Sequence, residues 1–265
     1  MSRWAGSLPP QSELLSFAEK CADAAREIIG PRYRRGVPVD YKSDASPVTE
    51  ADRAVEARIR ELVAEVYPSH GVIGEEYGAD ARPGEPCWII DPIDGTKAFV
   101  TGRPLFGTLL GLLVDNEPVM GVLDAPAMGE RWVGANGMAT KFNGEEVHGC
   151  ARARLSDANL SSTSPDMFDA TERPRFESLS RSCRFRVFGG DCYAYGLVAS
   201  GHVDIVVEAS MNAYDYLPLV PIVNGAGGVM TDWDGTPLSL TSSSGRVLAA
   251  GNVSLHRACV EILNR

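Results

Sequence analysis

No stretch of this 265-residue chain is apolar for long enough to cross a bilayer. The longest candidate, Phe106 to Val114, is interrupted by Gly107, Thr108 and Gly111 and falls far short of the roughly 18 residues a membrane helix needs. Met1 to Gln11 lack the basic start and apolar run of a secretory leader, which sets the expectation of a cytoplasmic protein. Basic residues are in deficit: 25 Lys and Arg against 35 Asp and Glu give a net charge of -10. A nucleic-acid backbone or an anionic membrane would be repelled, so neither is an expected partner. Cysteine is sparse, 6 in all, and no two form a Cys-x-x-Cys pair, which excludes the usual zinc motif and a dense disulfide framework in favour of reduced, mostly buried thiols. Only four histidines occur (His70, His148, His202, His256), scattered on turn or surface-like segments, and no chemistry is assigned to them.

What the chain does have is ordinary globular composition, 44% hydrophobic and 23% charged, at a length that suits one large α/β unit or two fused lobes. Ser12 to Ile29 carries a helical stripe that ends at Gly30-Pro31. A second helix starts near Thr49, where Thr49-x-x-Asp52 resembles a capping box, and runs through Val55, Ile59 and Leu62 to Pro68. From Gly71 the pattern changes to strands: 71–73, 87–90, 106–114 and 119–123, then 131–133 and 139–142, with hairpin turns at Asp115-Asn116-Glu117 and Asn143-Gly144. Beyond about residue 152, strands at 184–188, 203–207, 228–231 and 247–250 alternate with helices at 191–200, 214–225 and 254–263. The reading is an α+β lobe over residues 1–150 followed by an α/β lobe over 151–265.

Chemistry concentrates in Trp88-Ile-Ile-Asp-Pro-Ile-Asp-Gly-Thr96, where a buried-type strand runs into two carboxylates three residues apart. Pro92 is read as fixing a turn after Asp91 so that Asp91 and Asp94 point into one space, and Gly95-Thr96 suits a helix start whose free N–H groups would meet an anion. Alone, such a stretch also reads as a strand followed by a capped turn. Upstream, Gly74-Glu75-Glu76 places acids at another strand end, where open sheets put ligands. Far downstream, Asp215 opens an apolar helix, a position that by itself suits any acid favoured by the helix dipole.

Together these pieces, Gly74-Glu75-Glu76, Asp91-Pro-Ile-Asp-Gly-Thr96, and Asp215 followed by Gly225-Ala-Gly-Gly-Val229, resemble the inositol monophosphatase family of metal-dependent phosphatases, over most of the chain from Glu50 to Gly251. The resemblance implies a layered αβαβα sandwich and a homodimer. It also implies Glu75, Asp91, Asp94 and Asp215 as magnesium ligands with the Ile93 carbonyl completing one site. Thr96 would help Glu75 orient a water, Asp52 would support Thr96, and the loop of Lys42, Ser43 and Asp44 would close over the metals. Phosphate would lie against Asp94, Gly95, Thr96 and Asp215. Two departures from the family pattern stand beside the last acid: Tyr214 replaces the usual Trp, and Leu217 an Ala.

Four ionised acids facing a phosphate dianion would carry a charge of about −6, which up to three Mg²⁺ would balance, and all-oxygen ligands favour Mg²⁺, or Mn²⁺, over zinc. Within the family, Thr96-Lys-Ala-Phe-Val-Thr-Gly-Arg-Pro-Leu-Phe-Gly107 and Phe188-Gly-Gly-Asp-Cys-Tyr-Ala-Tyr195 resemble the branch that hydrolyses histidinol phosphate. That substrate ends in an amine and an imidazole, so its pocket should offer anions. Asp191, otherwise a helix cap, and Glu208, expected to face solvent or line the pocket rather than to be buried, are the candidates. Alternatives are an inositol phosphate, a 3′-phosphoadenosine 5′-phosphate, or a non-catalytic regulator that binds metal or sugar phosphate.

Overall fold

The apolar stripe after Pro10 folds as α1 (Gln11–Ile29), in a computed structural model that describes residues 8–36, 38–41, 47–81, 84–242 and 244–265. Lys42, Ser43 and Asp44 lie outside the described residues. A short antiparallel ladder, β1 (Val39–Tyr41) with β2 (Pro47–Thr49), leads into α2 (Glu50–Val66). The capping box is formed: the Thr49 hydroxyl accepts from the Ala51 N–H at 3.1 Å, and the Asp52 carboxylate accepts from the Thr49 N–H at 2.8 Å. Such a cap typically stabilises a helix by about 1 kcal/mol.

The first sheet has eight strands: β3 (Gly71–Gly74), β4 (Gly78–Asp80), β5 (Cys87–Asp94), β6 (Gly107–Val114), β7 (Glu117–Ala125), β8 (Glu130–Ala135), β9 (Lys141–Phe142) and β10 (Glu145–Glu146). Their order is β10-β9-β8-β7-β6-β5-β3-β4, antiparallel except where β3 lies parallel to β5. Asp115 and Asn116 (φ 53° and 70°) and Asn143 and Gly144 (φ 47° and 89°) take the left-handed conformations that two-residue hairpins require. After β5 a short α3 (Thr96–Val100) intervenes.

The second sheet takes β11 (Asn159–Ser162), β12 (Phe185–Phe188), β13 (Ile205–Glu208), β14 (Val229–Thr231) and β15 (Val247–Ala250), in the order β12-β11-β13-β15-β14. The helices of this half are α4 (Glu172–Ser182), α5 (Asp191–Ala199), α6 (Ala213–Tyr216), α7 (Leu219–Gly225) and α8 (Val253–Leu263). One expected helix, 214–225, is two: the chain divides between α6 and α7 around Pro218, whose missing N–H cannot continue the ladder. Strand β11 and helix α4 go beyond the sequence reading.

Alternation along the strands builds five layers. Trp88, Ile90, Leu110 and Leu112 face α1 and α2, while Ile89, Leu109 and Leu113 face a middle layer with Tyr195, Val198, Leu219 and Ile222 of α5 and α7. That layer also packs on Val206, Val247 and Ala249 of the second sheet, whose reverse face (Ile205, Val207, Leu248, Ala250) meets Phe176 and Leu179 of α4 and Leu255 and Cys259 of α8. The result is the αβαβα sandwich. Each fully buried Leu, Ile or Val contributes about 1.5–3 kcal/mol by leaving water.

A glycine stripe sets how closely the middle layer can sit. Gly111, Gly121 and Gly134 are cross-strand partners on β6, β7 and β8. A methyl group on Gly121 would overlap the Pro218 backbone, and one on Gly134 would overlap Pro221 and Ile222. With no side chains there, the segment carrying α6 descends onto the first sheet and brings Asp215 to the end of β5.

Candidate active site

Strand β5 delivers two of the acids, and a bulge aims them. In an unbroken strand, residues three apart face opposite sides. Here the pairing with β6 runs from Asp91 opposite Leu109 to Asp94 opposite Gly107, so β5 holds one extra residue and both carboxylates turn the same way. The expected turn after Asp91 is therefore a bulge inside a strand that continues to Asp94. Pro92, which has no N–H to lose, sits in the bulge, and its carbonyl accepts from the Thr108 hydroxyl at 2.8 Å. Gly95 follows at φ 84°, a left-handed link into α3.

Asp215 arrives on α6, where one of its oxygens accepts from the Asn212 N–H at 2.7 Å. One oxygen each of Asp91, Asp94 and Asp215 lies within 4.8 Å of the others. Glu75 follows β3, which runs beside β5, and its N–H donates to the Ile90 carbonyl at 3.3 Å. Glu75 lines the same cleft, a space of about 410 Å³, together with Asp91, Ile93, Asp94, Gly95, Thr96, Asp191, Glu208 and Asp215. Asp52 stands behind the wall, fully buried: Thr96 Oγ1 lies 3.4 Å from its Oδ1 and 3.1 Å from the Ile93 carbonyl, and the Thr49 hydroxyl donates to its Oδ2 at 2.5 Å.

The cluster is electrostatically unhappy as bare protein. Burial, then the neighbouring Glu75, Asp94 and Asp215, push the Asp91 carboxyl well above the carboxylate range. Burial with Asp191 and Asp215 does the same to Asp94. Asp215 is pushed up to about 7, first by burial, and Asp52 is raised, again first by burial. Asp91 Oδ1 is buried with no hydrogen-bond partner among the described residues, a costly orphan unless something positive reaches it. Oxygen-only donors around such an orphan fit a hard divalent cation.

The opposite wall holds Asp191 and Glu208. Asp191 is the first residue of α5, at φ 45°, and makes no side-chain cap, so the reading of it as a simple helix cap does not hold. The next N–H, of Cys192, donates to Asp94 Oδ2 and ties this wall to the acid cluster. Burial and then Glu208 push the Asp191 carboxyl up to about 6, against the pull of Lys97 and Arg103. Glu208 lines the cleft, as one of the two expected positions has it, but is 1% exposed, which corrects the expectation that it is not buried. It is held from two sides, by the Thr163 N–H at 2.9 Å and the Tyr195 hydroxyl at 2.7 Å, and burial raises its carboxyl. Thr163 is a contributor the sequence reading did not name, and Tyr195 entered it only as the end of the Phe188 to Tyr195 motif, because their link to Glu208 exists only in three dimensions.

The histidines stay outside this chemistry, yet two are less exposed than expected. His256 is buried, its Nε2 2.7 Å from the Thr231 hydroxyl, and His70 Nδ1 accepts from the Trp88 indole at 3.2 Å. All six thiols are free, and five are buried. No helix of the described residues is long and apolar enough to cross a membrane.

Comparison with known proteins gives a consistent set of relatives. The sequence model of the inositol monophosphatase family matches residues 10–265. The chain is 40% identical to the bifunctional phosphatase IMPL2, chloroplastic, of Arabidopsis thaliana, over 91% of this chain and 72% of that protein. It is 36% identical to the histidinol-phosphatase of Mycobacterium tuberculosis, over 94% of this chain and 97% of that one. A solved structure of an inositol monophosphatase from Zymomonas mobilis superposes with a TM-score of 0.88 at 41% identity, covering 97% of this chain and all of the other.

Proposed function

The chain belongs to the inositol monophosphatase family, and we propose that it is a Mg²⁺-dependent phosphate monoesterase that hydrolyses histidinol phosphate. The observation that carries the substrate reading is the second acidic wall, Asp191 and Glu208, which faces the same cleft as the Asp91, Asp94 and Asp215 cluster. A substrate anionic at one end and cationic at the other matches a cleft with a cation-holding end and an anionic end. Inositol phosphate would bring no cationic group of its own to Asp191 and Glu208. The relative named histidinol-phosphatase supports the same reading.

Glu75, Asp91, Asp94, Asp215 and the Ile93 carbonyl would hold Mg²⁺, with Mn²⁺ the nearest substitute in oxygen-ligand chemistry. When bound, the cations would neutralise the phosphoryl oxygens and make a nearby water more acidic. The protein's own part is positioning. Thr96 Oγ1 has one proton, which it can give to Asp52 or to the Ile93 carbonyl, leaving its lone pairs to accept from a water in the cleft. Glu75 would hold that water from the other side and take its proton, and Asp52, its other oxygen fixed by Thr49, would keep the Thr96 hydroxyl in this rotamer. Gly95 and Thr96 open α3 toward the phosphate with free N–H groups. Asp191, ionised above about pH 6, and Glu208 would receive the ammonium and imidazole. In this scheme residues 1–150 supply most cation-holding acids, and residues 151–265 supply Asp215 and the specificity wall. The protein would work as a cytoplasmic homodimer.

The test is kcat/KM measured side by side for histidinol phosphate, inositol 1-phosphate and 3′-phosphoadenosine 5′-phosphate at saturating Mg²⁺. The proposal expects histidinol phosphate to lead by at least about tenfold, the worth of one charge-assisted contact. A lead for either of the others would transfer the assignment to it, and tight Mg²⁺ binding without phosphate release from any of them would make the protein a regulator.

A further inference from the structure

We infer that Glu56 is a positioning residue that sets Glu75 for cation binding, an inference that rests on reading Glu75 as one of the cation-holding acids. Glu56 stands one helical turn after Asp52 on α2, so the two carboxylates share a face, and both are fully buried. Nothing in the mechanism above uses Glu56. Yet it is the centre around which the turn after β3 is wrapped. Its Oε2 accepts from the Glu76 N–H at 2.7 Å, and its Oε1 accepts from the Tyr77 N–H at 3.1 Å. On the other side of Glu75, a methyl group on Gly74 would overlap the Glu56 carboxylate, so the glycine is what lets the acid sit there. Arg60, one further turn along α2, donates to Oε1 at 2.8 Å and also to the Gly78 carbonyl, closing the ring.

The backbone of Glu75 is thus gripped from both directions, by the Ile90 carbonyl on its own N–H and by Glu56 on the two N–H groups that follow. The same helix, through Asp52, fixes Thr96. One rigid element therefore sets the distance between Glu75 and Thr96, the two groups that would hold the water. Such support of ligands from behind commonly changes metal affinity by about 10–100-fold when removed. Burying a carboxylate is expensive unless it is fully partnered, and an apolar side chain would fill the space at less cost. The partners of Glu56 explain what the charge does here: it organises N–H groups that would otherwise splay the turn.

The experiment is a calorimetric Mg²⁺ titration of the chelator-stripped full chain, which reads binding without turnover, with melting temperature recorded alongside. Glu56→Gln keeps the shape but turns an amide NH₂ toward a backbone N–H, and should weaken Mg²⁺ binding by about 10–100-fold. Saturating Mg²⁺ should then restore most of its kcat. Asp124→Asn is the control: Asp124 is as buried, paired with Arg26 at 2.7 Å and Arg131 at 2.6 Å, and does not line the cleft. It should lower the melting temperature and leave Mg²⁺ affinity unchanged. If Glu56→Gln does not fold, Gly74→Ala drives the same carboxylate aside and should weaken Mg²⁺ binding in the same way. Wild-type affinity in the folded Glu56 or Gly74 variant, with Glu75→Gln clearly weakened, overturns the inference and leaves the site reading standing. Wild-type affinity in Glu75→Gln overturns both.

Discussion

Asp215→Asn should make the metal-free protein more stable at pH 8, although it removes one of the acids proposed to hold the cations. The folded protein raises the Asp215 carboxyl from its ordinary 3.8 to about 7, with burial the largest cause and Glu75 and Glu208 among the rest. The folded state therefore holds this proton more tightly than the unfolded chain does. Stability from that proton is fully present below about pH 4 and is lost as pH rises through about 7. A shift of about three units corresponds to roughly 4 kcal/mol at about 1.36 kcal/mol per unit. Asp215 is only half-buried, and solvent contact and coupling to Asp91 reduce this to about 2–4 kcal/mol. Asparagine carries no charge and can still accept from the Asn212 N–H, so it escapes the loss. At about 2–3 °C per kcal/mol for a chain of this size, the variant should melt about 4–12 °C above wild type in excess chelator at pH 8, and close to it near pH 4. Scanning fluorimetry or calorimetry reads this directly. Adding Mg²⁺ should reverse the order at pH 8, because only the wild type keeps the full acid set. Equal melting of the two proteins in chelator at pH 8 would refute the claim that the acids strain the bare fold.

Asp94→Asn should keep the circular dichroism of the wild type, melt above it in chelator at pH 8 for the same reason as Asp215→Asn, and lose at least about 10²-fold in kcat, read by phosphate release; a normal rate would remove Asp94 from the site. Asp191→Ala and Glu208→Ala should each reduce kcat/KM for histidinol phosphate by about ten- to a hundredfold while barely affecting a small uncharged phosphate ester, since a charge-assisted contact typically contributes about 1.5–3 kcal/mol. Equal losses on both esters would make these acids part of the fold or the cation site instead. Gly121→Ala should destabilise the protein by about 1–3 kcal/mol in denaturant melts, because the added methyl meets the Pro218 backbone, and unchanged stability would mean the middle layer can move outward freely.

Much of the first sheet is legible in the sequence because its strands are apolar, long and separated by Asp-Asn and Asn-Gly turns that admit left-handed conformations. The helix α2 is legible for a similar local reason, its capping box being written in Thr49 and Asp52. What escapes has non-local causes. The common aim of Asp91 and Asp94 depends on a bulge that neither residue announces, and an unbroken strand would have separated them. Helix α4 carries only Phe176, Leu179 and Ser180 to the interior, too sparse a stripe to see in Glu-Arg-Pro-Arg-Phe-Glu-Ser-Leu-Ser-Arg-Ser. Glu208 looks like a charged strand end, and its burial becomes tolerable only through Tyr195 and Thr163, the latter 45 residues upstream. Glu56 likewise looks like any helical acid until the turn after β3 folds back onto it.

The central claim, that this acidic cluster holds the cations by which the protein hydrolyses a phosphate monoester, is tested most directly by following phosphate release from histidinol phosphate as free Mg²⁺ is titrated from chelator excess to millimolar levels. The account predicts no turnover in chelator, full recovery on adding Mg²⁺ back, and no recovery in Asp91→Asn at the same concentrations. Undiminished phosphate release in excess chelator would contradict it.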